Sequence, residues 1–286
     1  MTFNVNPWID LQQMLQYPFM QHAFEAGTVV AIVAGIVGYF VVLRRSSFAA
    51  HALSHIGFSG AAAAVLIGTN PVYGLLLFTS AGGFGIAVLG RRAANRDAEI
   101  GIVLAFMLGL GVLFLSLYTG YATEAYSILF GEILGVSFSN VLLTLVAGVI
   151  VLVFISLVYR PLLFASLDED VAEAKGLPVV LLGIIFMFLV AVATSFAVQV
   201  VGVLLIFSLM VTPAATAQLL AKRPGRVILI SVVIALIATW LGLFIGFFEP
   251  YPVSFFITAS VFSFYLFVRF IIPRIRNFRL VSEYEP

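Results

Sequence analysis

Runs of apolar residues long enough to cross a lipid bilayer recur along the whole chain, separated by short polar connections. A helix needs about 20 such residues to span the hydrocarbon core, and it satisfies its own backbone polar groups there. Charged residues make up only 9% of the 286 residues, whereas soluble domains carry about 25%. The sequence therefore predicts an all-α, polytopic membrane helix bundle, and it excludes a soluble enzyme and a nucleic-acid-binding module.

The apolar runs predict about nine (eight or nine) transmembrane helices in a single domain over residues 1–286. The runs lie at Ala26–Leu43, Phe48–Gly68, Pro71–Gly90, Ile100–Tyr118, Val141–Tyr159, Pro178–Val198, Val200–Ala221, Val227–Phe247 and Pro252–Ile272. The sixth and seventh runs are nearly continuous, and we place their division at Gln199–Gly202.

The charged residues fall unevenly on the two sets of connections. One set carries all 14 Lys and Arg residues. The opposite set carries no basic residue but holds Asp10, Glu25, Glu124, Glu132 and Glu249. Because basic residues concentrate in cytoplasmic loops, we predict a multi-pass topology with the N-terminus outside and the C-terminus in the cytoplasm.

Two stretches between the spans predict further elements. Residues 119–140 are too short and interrupted for a span, so we expect an external or half-inserted helix there. Residues 160–177 form the longest internal loop, and Asp168–Lys175 within it has the pattern of a short helix. Its acidic residues lie at its start, where the helix dipole favours them, and Gly176 is expected to end it. Such a helix either docks a partner or is an ordinary polar connector.

Two of the three histidines lie within the second predicted span. His51 and His55 are four residues apart and share one helix face, and Ser47 and Ser59 extend this polar stripe. At 1.5 Å per residue, His55 lies ~15 Å along the helix from Arg45, close to the bilayer midplane. Two neutral imidazoles can ligate a divalent cation such as Zn²⁺, and two ligands alone would hold it transiently. The alternative is that both rings bond to neighbouring backbone or serine groups.

Other motifs carry less functional information. Gly57–Gly60 spells GxSG, as in intramembrane rhomboid proteases, but that serine needs a histidine from a later helix, and no histidine follows His55. The glycines of Ala81–Gly90 lack a preceding strand and favour close helix packing. Pro213 is expected to kink its helix, and kinked helices often border translocation paths.

The chain has no Walker A motif, which requires G-x-x-x-x-G-K-[ST]. Its only two lysines, Lys175 and Lys222, both follow alanine. Any ATP-driven motor must therefore be a separate polypeptide, and the chain is not expected to be an enzyme.

Four segments match the motifs of one family in their order. They are HALSH at His51–His55, SILFGEILGVS at Ser127–Ser137, DEDVAEAKGL at Asp168–Leu177 and GVLLIFSLMVTPAATAQLL at Gly202–Leu220. Over nearly its whole length the chain thereby resembles the permease subunits of zinc/manganese/iron-type ABC importers, the ABC-3 family.

The resemblance implies a type II ABC importer-like fold in the bacterial plasma (inner) membrane. It also implies a cytoplasmic ABC ATPase, an extracytoplasmic metal-binding protein and a second permease copy, as a homodimer, within the lipid bilayer. No cofactor would be bound permanently, and the transported ion would be Zn²⁺ or Mn²⁺.

The resemblance also assigns residues. His51 and His55 would line the metal path, and His51 stands where many members have Asp, which favours zinc first and manganese second. Further candidates for the path or a gate are Ser47, Ser59, Glu132 and Pro213. Candidates for coupling to the ATPase are Asp168, Ala172, Ala174 and Gly176.

We therefore expect an importer permease that moves a divalent transition metal by alternating access. A type II ABC permease for a metal chelate, siderophore or cobalamin is the first alternative, although such chains are usually longer. A secondary ion-coupled transporter would be expected to carry an intramembrane Asp or Glu, and no acidic residue lies within a predicted span.

Overall fold

The computed structural model describes residues 12–89, 96–118, 131 and 133–282. Within these ranges nine helices are long and apolar enough to cross a membrane, and one further helix is short. The helices are α1 (Pro18–Leu43), α2 (Ser47–Leu66), α3 (Pro71–Leu89), α4 (Arg96–Leu117), α5 (Phe138–Leu167), α6 (Glu169–Ala174), α7 (Val179–Val201), α8 (Val203–Leu220), α9 (Pro224–Phe248) and α10 (Val253–Ser282). A short 3-10 turn, Ile133–Gly135, precedes α5.

Each predicted span corresponds to one long helix, so the predicted all-α membrane bundle is confirmed. The division of the sixth and seventh spans is also confirmed, because α7 ends and α8 begins on either side of Gly202. The backbone of Gly202 has φ 84° and ψ 164°, a conformation that only glycine adopts without strain. The chain can therefore reverse there within a single residue.

The structure extends several of the predicted helices, and three of them by eight residues or more: α1 at its start, and α5 and α10 at their ends. α1 begins at Pro18, eight residues before the predicted start, with the proline in its first turn. The prediction of a loop from residue 160 was wrong, because α5 continues through Pro161 to Leu167. Leu162 and Ala165 are buried in this last part of α5, and packing of this face offsets the hydrogen bond that Pro161 cannot donate.

α1 lies at the centre of the bundle and packs against α5, α7, α8 and α9. Its small residues allow these neighbours to come close. The Ser231 hydroxyl of α9 donates to the Gly35 carbonyl over 3.0 Å, and a methyl group on Gly38 would overlap the Met210 carbonyl oxygen of α8. Small residues of this kind are the usual basis of helix association in lipid.

A second group of helices forms around α2, which packs mainly against α3 and α4. A methyl group on Gly60 of α2 would overlap the Gly74 carbonyl oxygen of α3, and the reverse is also true. α3 in turn packs on α7, where the Thr79 and Ser195 hydroxyls lie 2.5 Å apart. The predicted packing role of the Ala81–Gly90 glycines is borne out at Gly83, which lies against the Met187 backbone of α7.

The bundle has two chemically different ends. One end has a cleft where five parts of the bundle meet: the α1–α2 turn, the start of α4, the end of α5, the short helix α6 and the start of α7. The residues that line this cleft include Arg44, Arg45, Asp97 and Glu169. We call this the basic end, because it belongs to the set of connections that carries the Lys and Arg residues. At the opposite end, the Tyr17 ring before α1 packs on Phe247 of α9, with centroids 5.8 Å apart.

Replacing Gly74 by Ala should destabilise the α2–α3 contact, because the new methyl group has to displace the Gly60 backbone. We expect a loss of about 1–3 kcal/mol in the free energy of unfolding, measured by thermal unfolding of the purified protein in detergent. Gly85→Ala in the same helix is the control, since a Cβ there meets nothing within 4 Å. Equal stability of the two variants would contradict this packing role.

Candidate functional site

The two histidine side chains of α2 lie against each other inside the bundle. The ring centroids of His51 and His55 are 4.6 Å apart, and the ring planes are nearly perpendicular at 79°. On its other side the His51 ring contacts Phe207 of α8, with centroids 4.7 Å apart. Sequence reasoning did not identify Phe207, because an aromatic residue in an apolar run carries no signal of its own. The predicted pairing of the two imidazoles on one helix face is present in the structure.

One nitrogen of each imidazole makes no hydrogen bond to the described part of the bundle. The Nδ1 atoms of His51 and His55 are buried and have no hydrogen-bond partner among the described residues. Nearby serines bond to backbone instead, since Ser54 donates to the His51 carbonyl over 2.7 Å. A buried polar atom without a partner is costly, and within the described residues neither Nδ1 atom makes the serine or backbone bond of the alternative interpretation.

The predicted polar stripe does not stay together along α2. Ser59 is fully buried, and its hydroxyl donates to the Met107 carbonyl of α4, away from the Phe207 side that His51 contacts. Ser47 is the first residue of α2 and is half-buried near the basic end. The stripe divides because residues eight apart on a helix differ by about 80° in direction.

The remaining candidate path residues are distributed over the fold. Pro213 is buried within α8, three residues beyond Met210, whose carbonyl lies against Gly38 of α1. Glu132 lies outside the described residues, and so does most of the predicted half-inserted segment 119–140. Of its described part, Ile133 and Val136 are buried, whereas Phe138 is exposed.

The turn between α7 and α8 is recessed from the opposite end of the bundle. Met210 lies level with Gly38, and Gly202 is eight residues before Met210, or ~12 Å along α8. α1 extends twenty residues from Gly38 to its start, or ~30 Å, so the Gly202 turn stops well short of that end. Gly131, with φ 74°, lies directly against the Val201–Gly202 backbone and fills part of this recess.

The donor set suits a transient metal site. Among the described residues, no group of three or more His, Cys, Asp or Glu side chains could hold a metal ion. Structural zinc sites use four protein ligands, whereas the described chain offers the two imidazoles. The arrangement can thus bind a borderline-soft divalent cation weakly and release it, with its other ligands supplied from elsewhere.

The short helix α6 has the predicted ends. The Asp168 carboxylate accepts a hydrogen bond from the Val171 amide over 3.0 Å, an N-cap. Gly176 has φ 81° and follows the last turn. Ala172 is fully buried at the base of the bundle, whereas Ala174 is exposed. Ala172 therefore holds α6 against the bundle, and the exposed residues Asp168, Ala174 and Gly176 form its outer surface.

These features define a multi-span helical membrane protein with a polar pair within the bundle and a short helix at one end. The model of the ABC 3 transport family matches residues 16–272. The chain belongs to this family, which confirms the resemblance found in the sequence.

Individual relatives agree with this assignment. The chain is 33% identical over 238 residues to the manganese transport system membrane protein MntC of Listeria monocytogenes, covering 83% of this chain and 85% of the relative. It is 34% identical over 263 residues to the manganese import system permease protein ScaB of Streptococcus parasanguinis, covering 92% and 94%.

Solved structures support the fold. PsaBC from Streptococcus pneumoniae, in complex with Fab, superposes with a TM-score of 0.85 at 32% identity, covering 96% of this chain and 99% of that chain. A metal-chelate type ABC transporter in an inward-facing conformation superposes with a TM-score of 0.70, covering 93% and 90%; at 16% identity it supports the fold alone.

Replacing Ser59 by Ala should affect stability more than transport, because its hydroxyl is used in the contact with α4. We expect the free energy of unfolding to fall by about 0.5–1.5 kcal/mol, the usual contribution of one hydrogen bond, and metal uptake to stay unchanged. Thermal unfolding and uptake in cells would measure the two effects. Ser116→Ala is the control, since that exposed hydroxyl bonds only within its own helix. Loss of uptake at full stability would instead place Ser59 in the path.

Proposed function

We propose that the chain is the permease subunit of an ABC importer that carries a divalent transition-metal ion across the membrane by alternating access. The observation that carries the proposal is the pair of His51 and His55 rings, whose buried Nδ1 atoms have no partner among the described residues. An ionisable group within a membrane span marks a substrate path by default. Membership of the ABC 3 transport family supports the class of transporter.

Zinc is our first candidate cargo, and manganese is the second. Imidazole is a good ligand for zinc, whereas manganese prefers carboxylate, carbonyl and water oxygens. The names of the relatives MntC and ScaB support manganese. We keep both ions because a site with only two protein ligands takes part of its coordination from water or from a second permease copy.

The proposed assembly contains three further components. A cytoplasmic ABC ATPase would dock at the basic end, an extracytoplasmic metal-binding protein would deliver the ion at the opposite end, and a second copy of this chain would complete the path. The ATPase is needed because the sequence has no Walker A motif. The alternative of a metal-chelate, siderophore or cobalamin permease is not favoured, because the relatives MntC and ScaB, both above 30% identity, carry manganese names.

Replacing both His51 and His55 by Ala should reduce uptake of radioactive zinc and manganese by tenfold or more, about the scale on which metal affinity falls when a site loses supporting groups. Uptake would be measured in cells lacking other importers, and assembly would be checked by co-purification with the ATPase. His22→Ala is the matched control, because this third histidine packs on Phe138 away from the pair. Unchanged uptake in an assembled double variant would refute the site.

A second variant in the same experiment separates the two cargoes. His51→Asp replaces one imidazole by a hard carboxylate and should raise manganese uptake relative to zinc. An unchanged zinc-to-manganese ratio would show that selectivity resides in another component of the importer.

Replacing Val171 by Glu should weaken docking of the ATPase. Val171 is an exposed apolar side chain, 43% accessible, on the outer surface of α6, and a charge there would remain unpaired in a protein interface. We expect about tenfold or greater loss of ATPase co-purification from solubilised membranes, with the permease still folded. Lys222→Gln, exposed on the α8–α9 connection, is the control. Full retention of the ATPase by Val171→Glu would count against α6 as the docking element.

A further inference from the structure

Arg44 joins the start of the histidine-bearing helix to the part of the chain that carries α6. It is the first residue after α1 and lies three residues before α2 begins. Its Nη1 donates to the Ser166 hydroxyl at the end of α5 over 3.3 Å. Its guanidinium carbon lies 5.6 Å from the centre of the Phe186 ring of α7. One side chain thus contacts α5 and α7 from the α1–α2 turn.

The contacts of Arg44 are built into the fold. The Ser166 hydroxyl donates to the Leu162 carbonyl over 2.5 Å, which leaves its oxygen free to accept from Arg44. Phe186 is fully buried, so the ring under the guanidinium is held in place. Gly183, one turn before Phe186, lies beside the same guanidinium, because a Cβ there would be in ordinary van der Waals contact with Nη2 at 3.7 Å.

The α1–α2 turn is held in place by side-chain contacts such as those of Arg44. α1 and α2 share few contacts beyond their connection, so packing between them does not fix the turn. Within the turn, Arg45 adopts φ 51°, the Ser46 amide donates to the Val41 carbonyl over 2.9 Å, and the Ser46 hydroxyl donates to the Arg44 carbonyl over 3.2 Å. The turn is a compact unit, and Arg44 attaches it to α5 and α7.

Ser166 lies two residues before Asp168, the N-cap of α6, and α2 carries His51 and His55. We propose that Arg44 is a positioning residue that makes the start of α2 move with the α5–α6 junction, so that motion of α6 reaches the histidine pair. The inference rests on the proposed function, because it assigns Arg44 to the coupling of that same site.

The test is the amount of metal imported per ATP hydrolysed by the full importer in proteoliposomes. Arg44→Lys keeps the positive charge and therefore the topology signal, but it loses the planar guanidinium that stacks and bonds at once. We expect uptake per ATP to fall about fivefold, with hydrolysis and ATPase co-purification retained. Ser166→Ala should act in the same direction, about twofold, because it removes only the hydrogen bond.

Arg45→Lys is the matched control, because Arg45 is the exposed neighbour in the same turn and its backbone conformation suits lysine equally. It should leave uptake per ATP unchanged. If uptake and hydrolysis fall in proportion in Arg44→Lys, the residue serves folding alone and the inference is overturned. It is also overturned if Arg44→Lys behaves like Arg45→Lys.

A second measurement does not depend on the cargo. The chain has no cysteine, so spin labels can be attached at Phe48→Cys and Leu167→Cys, both exposed positions. In the full importer, the distance between the labels should stay constant between nucleotide-free and ATP-bound states, and it should change between these states in Arg44→Lys. A distance that changes equally in both proteins would refute the coupling. If the unsubstituted importer carries neither zinc nor manganese, the proposed function fails while this measurement still decides the role of Arg44.

Discussion

Helices in lipid gain nothing from hiding apolar surface from water, so this bundle depends on close backbone approach and on buried hydrogen bonds. α1 shows both, because Gly38 lies against the Met210 carbonyl and Gly35 accepts from Ser231. Gly60 and Gly74 allow the same close backbone approach between α2 and α3. α2 also packs directly on α8, where the His51 ring contacts Phe207.

The polar side chains within the spans behave in two ways. Many hydroxyls donate to a carbonyl of their own helix, as Thr144 does to Asn140 over 2.8 Å and Ser195 to Ala191 over 2.8 Å. A short, freely rotating hydroxyl can reach that carbonyl, and it is then satisfied in lipid. An imidazole ring is too large and rigid to do so, and the two Nδ1 atoms have no partner among the described residues, whereas the Ser54 and Ser59 hydroxyls of the same helix do.

The fold could be predicted further than the site. Spans, the division near Gly202 and the short helix that follows Asp168 could be predicted from local patterns, since hydrophobicity, glycine conformation and the helix dipole act over a few residues. The continuation of α5 through Pro161 could not be predicted, because it depends on burial of Leu162 and Ala165 against other elements. The direction of Ser59 towards Met107 and the contacts of Arg44 depend on which helices become neighbours, which a single sequence does not reveal. The pairing of His51 and His55 was predictable because both lie on one helix.

A site with two protein ligands would balance two requirements of a transported ion, which must be coordinated within the membrane and must also be released. A cation without ligands cannot cross the apolar midplane, because desolvation of a charge costs many kcal/mol. A complete set of four ligands would hold it too firmly, since structural zinc sites bind with about 10–16 kcal/mol. Under the proposed function, small movements of α2 relative to its neighbours would assemble or disperse the coordination that two imidazoles leave open. Turnover would then depend on how α2 is moved, which is the step that we assign to the attachment of its first turn through Arg44.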